Sequence, residues 1–99
     1  MLIDNAKSIW KFTLKMEDKQ NINMPPHSRV LTAQAQNGHL CLWVLVNCHD
    51  TDRIEYPVWI YGTGFPLDEG AEFSGSRYVS TVLLDDGISG FHVFVGLGA

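Results

Sequence analysis

The chain has no apolar run long enough to cross a bilayer. The longest, Leu40 to Val46, falls far short of the ~20 residues a spanning helix needs. The first residues, Met1-Leu2-Ile3-Asp4-Asn5-Ala6-Lys7, lack the apolar core of a signal peptide, so the reading expects a cytoplasmic protein. Cysteine is scarce. Cys41 and Cys48 are too few for a disulfide scaffold, and their odd separation puts them on opposite faces of any strand that holds both. Positive charge is also scarce. Seven Lys and Arg stand against eleven Asp and Glu, a net charge of −4, which argues against non-specific DNA binding by phosphate neutralisation. No zinc-type pairing of His and Cys, no complete P-loop or dinucleotide fingerprint and no nucleophile elbow occurs. The reading therefore names no catalytic residue, metal or cofactor.

What is present is a globular composition, 45% hydrophobic with a mean hydropathy near zero. At 99 residues it is read as one domain, spanning 1–99. The charge is unevenly spread. Residues 1–49 carry five Lys and Arg against three Asp and Glu, whereas 50–99 carry two against eight. That acidic half could meet a basic partner, although a solvated face is the plainer reading.

Period-two alternation between turn signals runs through most of the chain. Residues 8–14 set Trp10, Phe12 and Leu14 against Lys11 and Thr13. A short strand is expected around Asn21-Ile22-Asn23, stopped by Pro25-Pro26. Residues 29–36 set Leu31, Ala33 and Ala35 against Thr32, Gln34 and Gln36. Asn37-Gly38 is a type I′ hairpin signal, because both central positions of that turn need positive φ. The return strand, His39 to Cys48, is apolar on both faces and so reads as central. Residues 53–61 form a further strand, in which Pro57 argues for an edge or a bulge. Residues 72–84 and 88–95 read as a last hairpin around Asp85-Asp86-Gly87, with a bulge or bend at Gly75. Helix is limited to a weak turn at 67–72 and the first few residues. The fold expected is mainly β, a six- to seven-stranded antiparallel small barrel or sandwich.

Four features are candidates for binding. Gly62-Thr63-Gly64 after a strand offers backbone N–H groups to an anion, or is simply a turn needing positive φ. Trp43, Tyr56, Trp59, Tyr61, Phe65 and Tyr78 are expected to gather near the mouth of a hairpin over 43–65. If Tyr56, Val58 and Ile60 fill the core, Trp59 and Tyr61 stand exposed on the other face, where rings serve interfaces or stack on bases. Arg29, Arg53 and Arg77 could converge in an oligomer on phosphate or carboxylate, or be unrelated surface residues. His92 could orient near a hydroxyl or thiol. The ligand-binding candidates are thus Trp43, Trp59, Tyr61, Gly62, Thr63, Gly64, Arg29, Arg53, Arg77 and His92.

Several stretches together carry a resemblance. They are Ile9-Trp10-Lys11-Phe12, Gln20 to Pro25, Leu31 to Gly38, Leu42 to Val46, Ile60-Tyr61-Gly62-Thr63-Gly64-Phe65-Pro66-Leu67, Phe73 to Ser76 and His92-Val93-Phe94. In order and spacing the chain resembles a family of small proteins encoded by phages and prophages and known only as a domain of unknown function. The resemblance implies a phage-encoded, non-enzymatic binder acting in the host cytoplasm. The expected partners are further copies of the chain and a nucleotide-like immune signal. A host defence protein is the alternative target, and a virion accessory role a further one. Neither DNA nor membrane is an expected partner.

Overall fold

A computed structural model describes residues 6–67 and 75–96. Seven strands follow one another: β1 (Lys7–Thr13), β2 (Lys19–Met24), β3 (Arg29–Gln36), β4 (His39–Asn47), β5 (Ile54–Gly62), β6 (Ser76–Leu84) and β7 (Ser89–Gly96). They form two antiparallel sheets, of order β1-β4-β3 and β2-β5-β7-β6. The architecture is all-β, with two layers around one core. No helix occurs among the described residues. The helix candidates at the N-terminus and at 67–72 fall almost wholly outside them.

The core is built by alternation. Leu40, Leu42, Val44 and Val46 of β4 face Tyr56, Val58 and Ile60 of β5, with Val93 and Val95 of β7 beside them. Trp10 and Phe12 cover one flank. β4 is the middle strand of its sheet, as its two apolar faces predict. Asn37 and Gly38 take φ of 51° and 77°, and Gln36 lies opposite His39, so the two-residue turn sets the β3–β4 register as expected.

Three expectations are corrected. First, β4 and β5 belong to different sheets, so there is no hairpin over 43–65, and the six aromatics do not gather at its mouth. Second, β5 is an interior strand despite Pro57. Ile60 N–H donates toward β2, to Asp18 O, and Thr63 N–H toward β7, to Gly90 O. By alternation the Pro57 nitrogen faces β7, where the last ladder pair is Val58↔Val95, so its missing N–H costs no ladder bond. Third, the bulge in β6 is not at Gly75, which instead makes the bend, in a turn just before the strand with φ 77°. It is at Val79, between the pairs Tyr78↔Phe94 and Ser80↔Val93. A matching bulge at Leu31 in β3 turns that residue outward, 42% exposed, and leaves Val30 and Ala33 facing the core.

The two bulged strands are the edges of their sheets, and they meet. Ala33 N–H donates to Ser80 Oγ at 3.1 Å, and the same hydroxyl donates to Ala33 O at 2.8 Å. Arg77 Nη2 adds a bond to Val30 O at 2.6 Å. One serine thus satisfies both backbone groups of a buried edge residue, and the sandwich is stitched shut along one side.

Candidate functional site

With Val58, Ile60, Val93 and Val95 inward, the alternate residues of β5 and β7 stand on the outer face of the larger sheet. Two cross-strand rows result: Tyr61, His92 and Thr81, and beside it Trp59, Phe94 and Tyr78. The Val79 bulge creates this arrangement. Unbroken alternation would put Tyr78 on the side of Ser80 and Val82. The extra residue instead brings Tyr78 and Thr81 to one face and sends Ser80 inward.

His92 is the centre of a hydroxyl cage. Its Nε2 lies 2.7 Å from Thr63 Oγ1. Its Nδ1 lies 3.0 Å from Thr81 Oγ1 and 3.1 Å from Tyr78 OH, and the two hydroxyls also bond each other. Thr63 Oγ1 reaches the Gly90 carbonyl at 3.4 Å. A carbonyl only accepts, so a Thr63 proton directed there makes Thr63 the acceptor for Nε2–H, and Nδ1 then accepts from Tyr78 or Thr81. Every partner is a hydroxyl that can donate or accept, so the cage fits either tautomer of the neutral ring.

Rings wall the site. Tyr78 and Phe94 meet edge to face at 5.1 Å, Phe94 and Tyr61 at 6.1 Å. The resulting hollow, about 290 Å³, is lined by Gly62 to Phe65, Leu67, Tyr78, His92 and Phe94. A neighbouring hollow of about 440 Å³ lies between Met16–Asp18 and Tyr61, Phe65, Pro66 and Phe91. Gly62 and Phe65 border both. The Phe65 ring folds back over Gly62, where an added Cβ would sit 2.8 Å from Phe65 Cδ2. Phe65 is nonetheless 72% exposed, a wall with an open side.

The structure brings Gly62, Thr63, Gly64 and His92 together, with Tyr61 beside His92 on the neighbouring strand. It does not expose Trp59 and Tyr61, which keep only 8% and 6% of their surface. They do face outward, but Lys19 Nζ lies 5.6 Å over the Trp59 ring, Gly96 packs against its edge, and Tyr61 leans on Phe94. Trp43 stands on the outer face of the other sheet, paired with Lys11. The arginines do not reach the groove. Arg53 donates to Asp50 O and Asp52 O and lies 5.4 Å from the Trp10 ring, bracing a turn. Arg77 is held by Val30 O, and with Arg29 it lines a separate cleft of about 220 Å³ beside Tyr56. Nor does the Gly62–Gly64 turn form an anion cradle. Of the Thr63, Gly64 and Phe65 N–H groups, Thr63 is bonded to Gly90 O and Phe65 to Gly62 O, which leaves that of Gly64.

Thr81 and Phe94 were not among the sequence candidates, and Phe65 was weighed only as one of the clustered aromatics. Counting outward from the Asp85–Ile88 turn would have found Thr81, since the register of that hairpin sets it opposite His92. Tyr78 was weighed only as an aromatic, because its place depends on the bulge.

Residues 5–98 match the model of a domain of unknown function, DUF7352. The chain belongs to this family. No curated protein and no solved structure matches it. The match runs through all seven strands of the DUF7352 fold, so both walls of the His92 groove belong to the family's domain.

In a catalytic triad a third group, commonly a carboxylate, orients the base and stabilises the imidazolium. Behind Nδ1 stand hydroxyls, and among the described residues no carboxylate contacts His92. Thr63 sits on an exposed turn. No group of three His, Cys, Asp or Glu side chains able to hold a metal occurs among the described residues.

Proposed function

We propose that this DUF7352 domain is a binding protein that takes a planar, ring-bearing ligand of nucleobase type in the groove over His92. One observation carries the reading: an aromatic-walled hollow lined by the His92 imidazole and the Thr63 and Tyr78 hydroxyls, groups able to meet donors and acceptors on a ring edge. Tyr78 and Phe65 supply faces for stacking, worth about 1–3 kcal/mol per base. The resemblance to phage and prophage proteins supports a nucleotide-like immune signal of a bacterial host as the ligand, held by sequestration in the host cytoplasm. Arg29, Arg53 and Arg77 lie outside this groove, so the reading assigns it no arginine contact to a phosphate.

The test is an NMR titration of the labelled domain with adenosine, uridine and their 5′-monophosphates. Shifts should centre on Gly62–Phe65, Tyr78 and His92. The monophosphate should bind within about twofold of its nucleoside, since no arginine reaches the groove, and His92→Ala should weaken binding roughly tenfold, the worth of one net hydrogen bond. Shifts confined to other surfaces, or affinity unchanged by His92→Ala, would remove the reading. A conversion product of any nucleotide, lost on His92→Ala, would replace it with catalysis.

A further inference from the structure

The smaller sheet and the loops of this chain have opposite electrical character. β1, β3 and β4 contain Lys7, Lys11 and Arg29 but not a single Asp or Glu, in a chain of net charge −4. The register gives all three cations outer-face positions, Arg29 at the end of β3 where it also borders the cleft beside Tyr56. Lys7 pairs with Asn47, Lys11 with Trp43 and Arg29 with Leu45, while the alternate Val44 and Val46 are fully buried. At the centre of this face Ile9, Leu31 and Trp43 bound a shallow depression of about 310 Å³. Ile9 is 57% exposed there.

The β6–β7 turn is the complement. Ile88 is 85% exposed, the most of any large hydrophobic residue described, and it follows the carboxylates of Asp85 and Asp86. The turn is preformed. Asp85, Asp86 and Gly87 all take positive φ, and bonds from Gly87 N–H to Leu84 O and from Ile88 N–H to Asp85 O close it. A rigid knob loses little entropy on docking.

We propose that the β6–β7 tip of one copy docks on the outer face of the β1-β4-β3 sheet of a second copy. Ile88 enters the depression between Ile9, Leu31 and Trp43, and Asp85 and Asp86 face Lys7, Lys11 and Arg29. Tip and face are different surfaces, so the contact is heterologous and each copy keeps one free tip and one free face, giving a ring or an open chain. Isologous pairing of the face would bring like charges together, which opposes it. A hairpin tip buries well under the roughly 800 Å² per partner of a stable interface, so assembly rises with concentration and falls with salt. The inference does not depend on the ring-binding reading, and neither surface includes the His92 groove.

Two exposed-surface variants test it by complementation. Ile88→Asp removes the knob, and Lys7→Glu with Lys11→Glu reverses the face. Asp85→Asn with Asp86→Asn is a second tip variant whose side chains tolerate positive φ. Circular dichroism confirms that each is folded, and sedimentation velocity at low ionic strength reads the assembly. Wild type should form oligomers that grow with concentration and dissolve in added salt. Each variant alone should be monomeric, with self-affinity down roughly tenfold or more. An equimolar mixture of a tip variant with the face variant should give a heterodimer and nothing larger, since the remaining tip and face are both disabled. Wild type that stays monomeric, variants that assemble as wild type does, or a mixture without heterodimer would each overturn the proposal.

Discussion

Replacing Ser80 with alanine is expected to destabilise the domain by about 2–4 kcal/mol. The hydroxyl accepts from Ala33 N–H and donates to Ala33 O, and Ala33 is 1% exposed. Without the hydroxyl, two buried backbone groups lose their partner, at about 1–3 kcal/mol each. Urea unfolding of Ser80→Ala against Thr81→Ala makes the comparison. Thr81 is the next residue but stands on the solvent side, and its loss should cost less than about 1 kcal/mol. If the two variants unfold at the same urea concentration, the β3–β6 seam contributes nothing and the sandwich is held by its core alone.

The second large effect is Leu42→Ala. Leu42 is fully buried in the middle of β4, between Phe12 and Ala33 on the flanking strands. Removing its isobutyl group loses transfer energy and leaves a cavity, together about 2–5 kcal/mol. For a domain of this size the melting temperature should fall by roughly 4–8 °C for each of those kilocalories. Leu45, three residues on, is half-buried on the opposite face. Its alanine variant should cost less than half as much. Equal losses in thermal melts would mean that β4 does not present Leu42 to the core.

The strands of this fold were largely legible because their signals are local. The alternation of 8–14, the β3 boundaries and the Asn37-Gly38 turn follow from side-chain period and from residues that tolerate positive φ, and the structure repeats them closely. What was not legible is whatever depends on partners distant in the chain. Nothing near Pro57 announces that its nitrogen faces the unpaired end of a ladder. Nothing near Val79 announces a bulge, yet that one residue turns Tyr78 toward His92 and Ser80 toward Ala33. The same limit applies to the candidate groove. Gly62, Thr63, Gly64 and His92 do meet, because β5 and β7 are neighbours. Arg29, Arg53 and Arg77 do not join them, since residue type alone carries no information about which sheet or which face a side chain occupies.

The sheet order also sets how the chain must come together in time. Of the ladders, only β3–β4 and β6–β7 join strands consecutive in sequence. These hairpins can form on their own within about 1–10 μs. β5 then has to find β7, and β1 and β2, neighbours along the chain, must part company, one to β4 and the other to β5. Closing those long loops costs entropy before any contact rewards it, which places refolding in the range of about milliseconds to seconds. β1 and β2 pair only with strands distant in the sequence, and until they do the flanks of β4 and β5 are open to pairing with another chain.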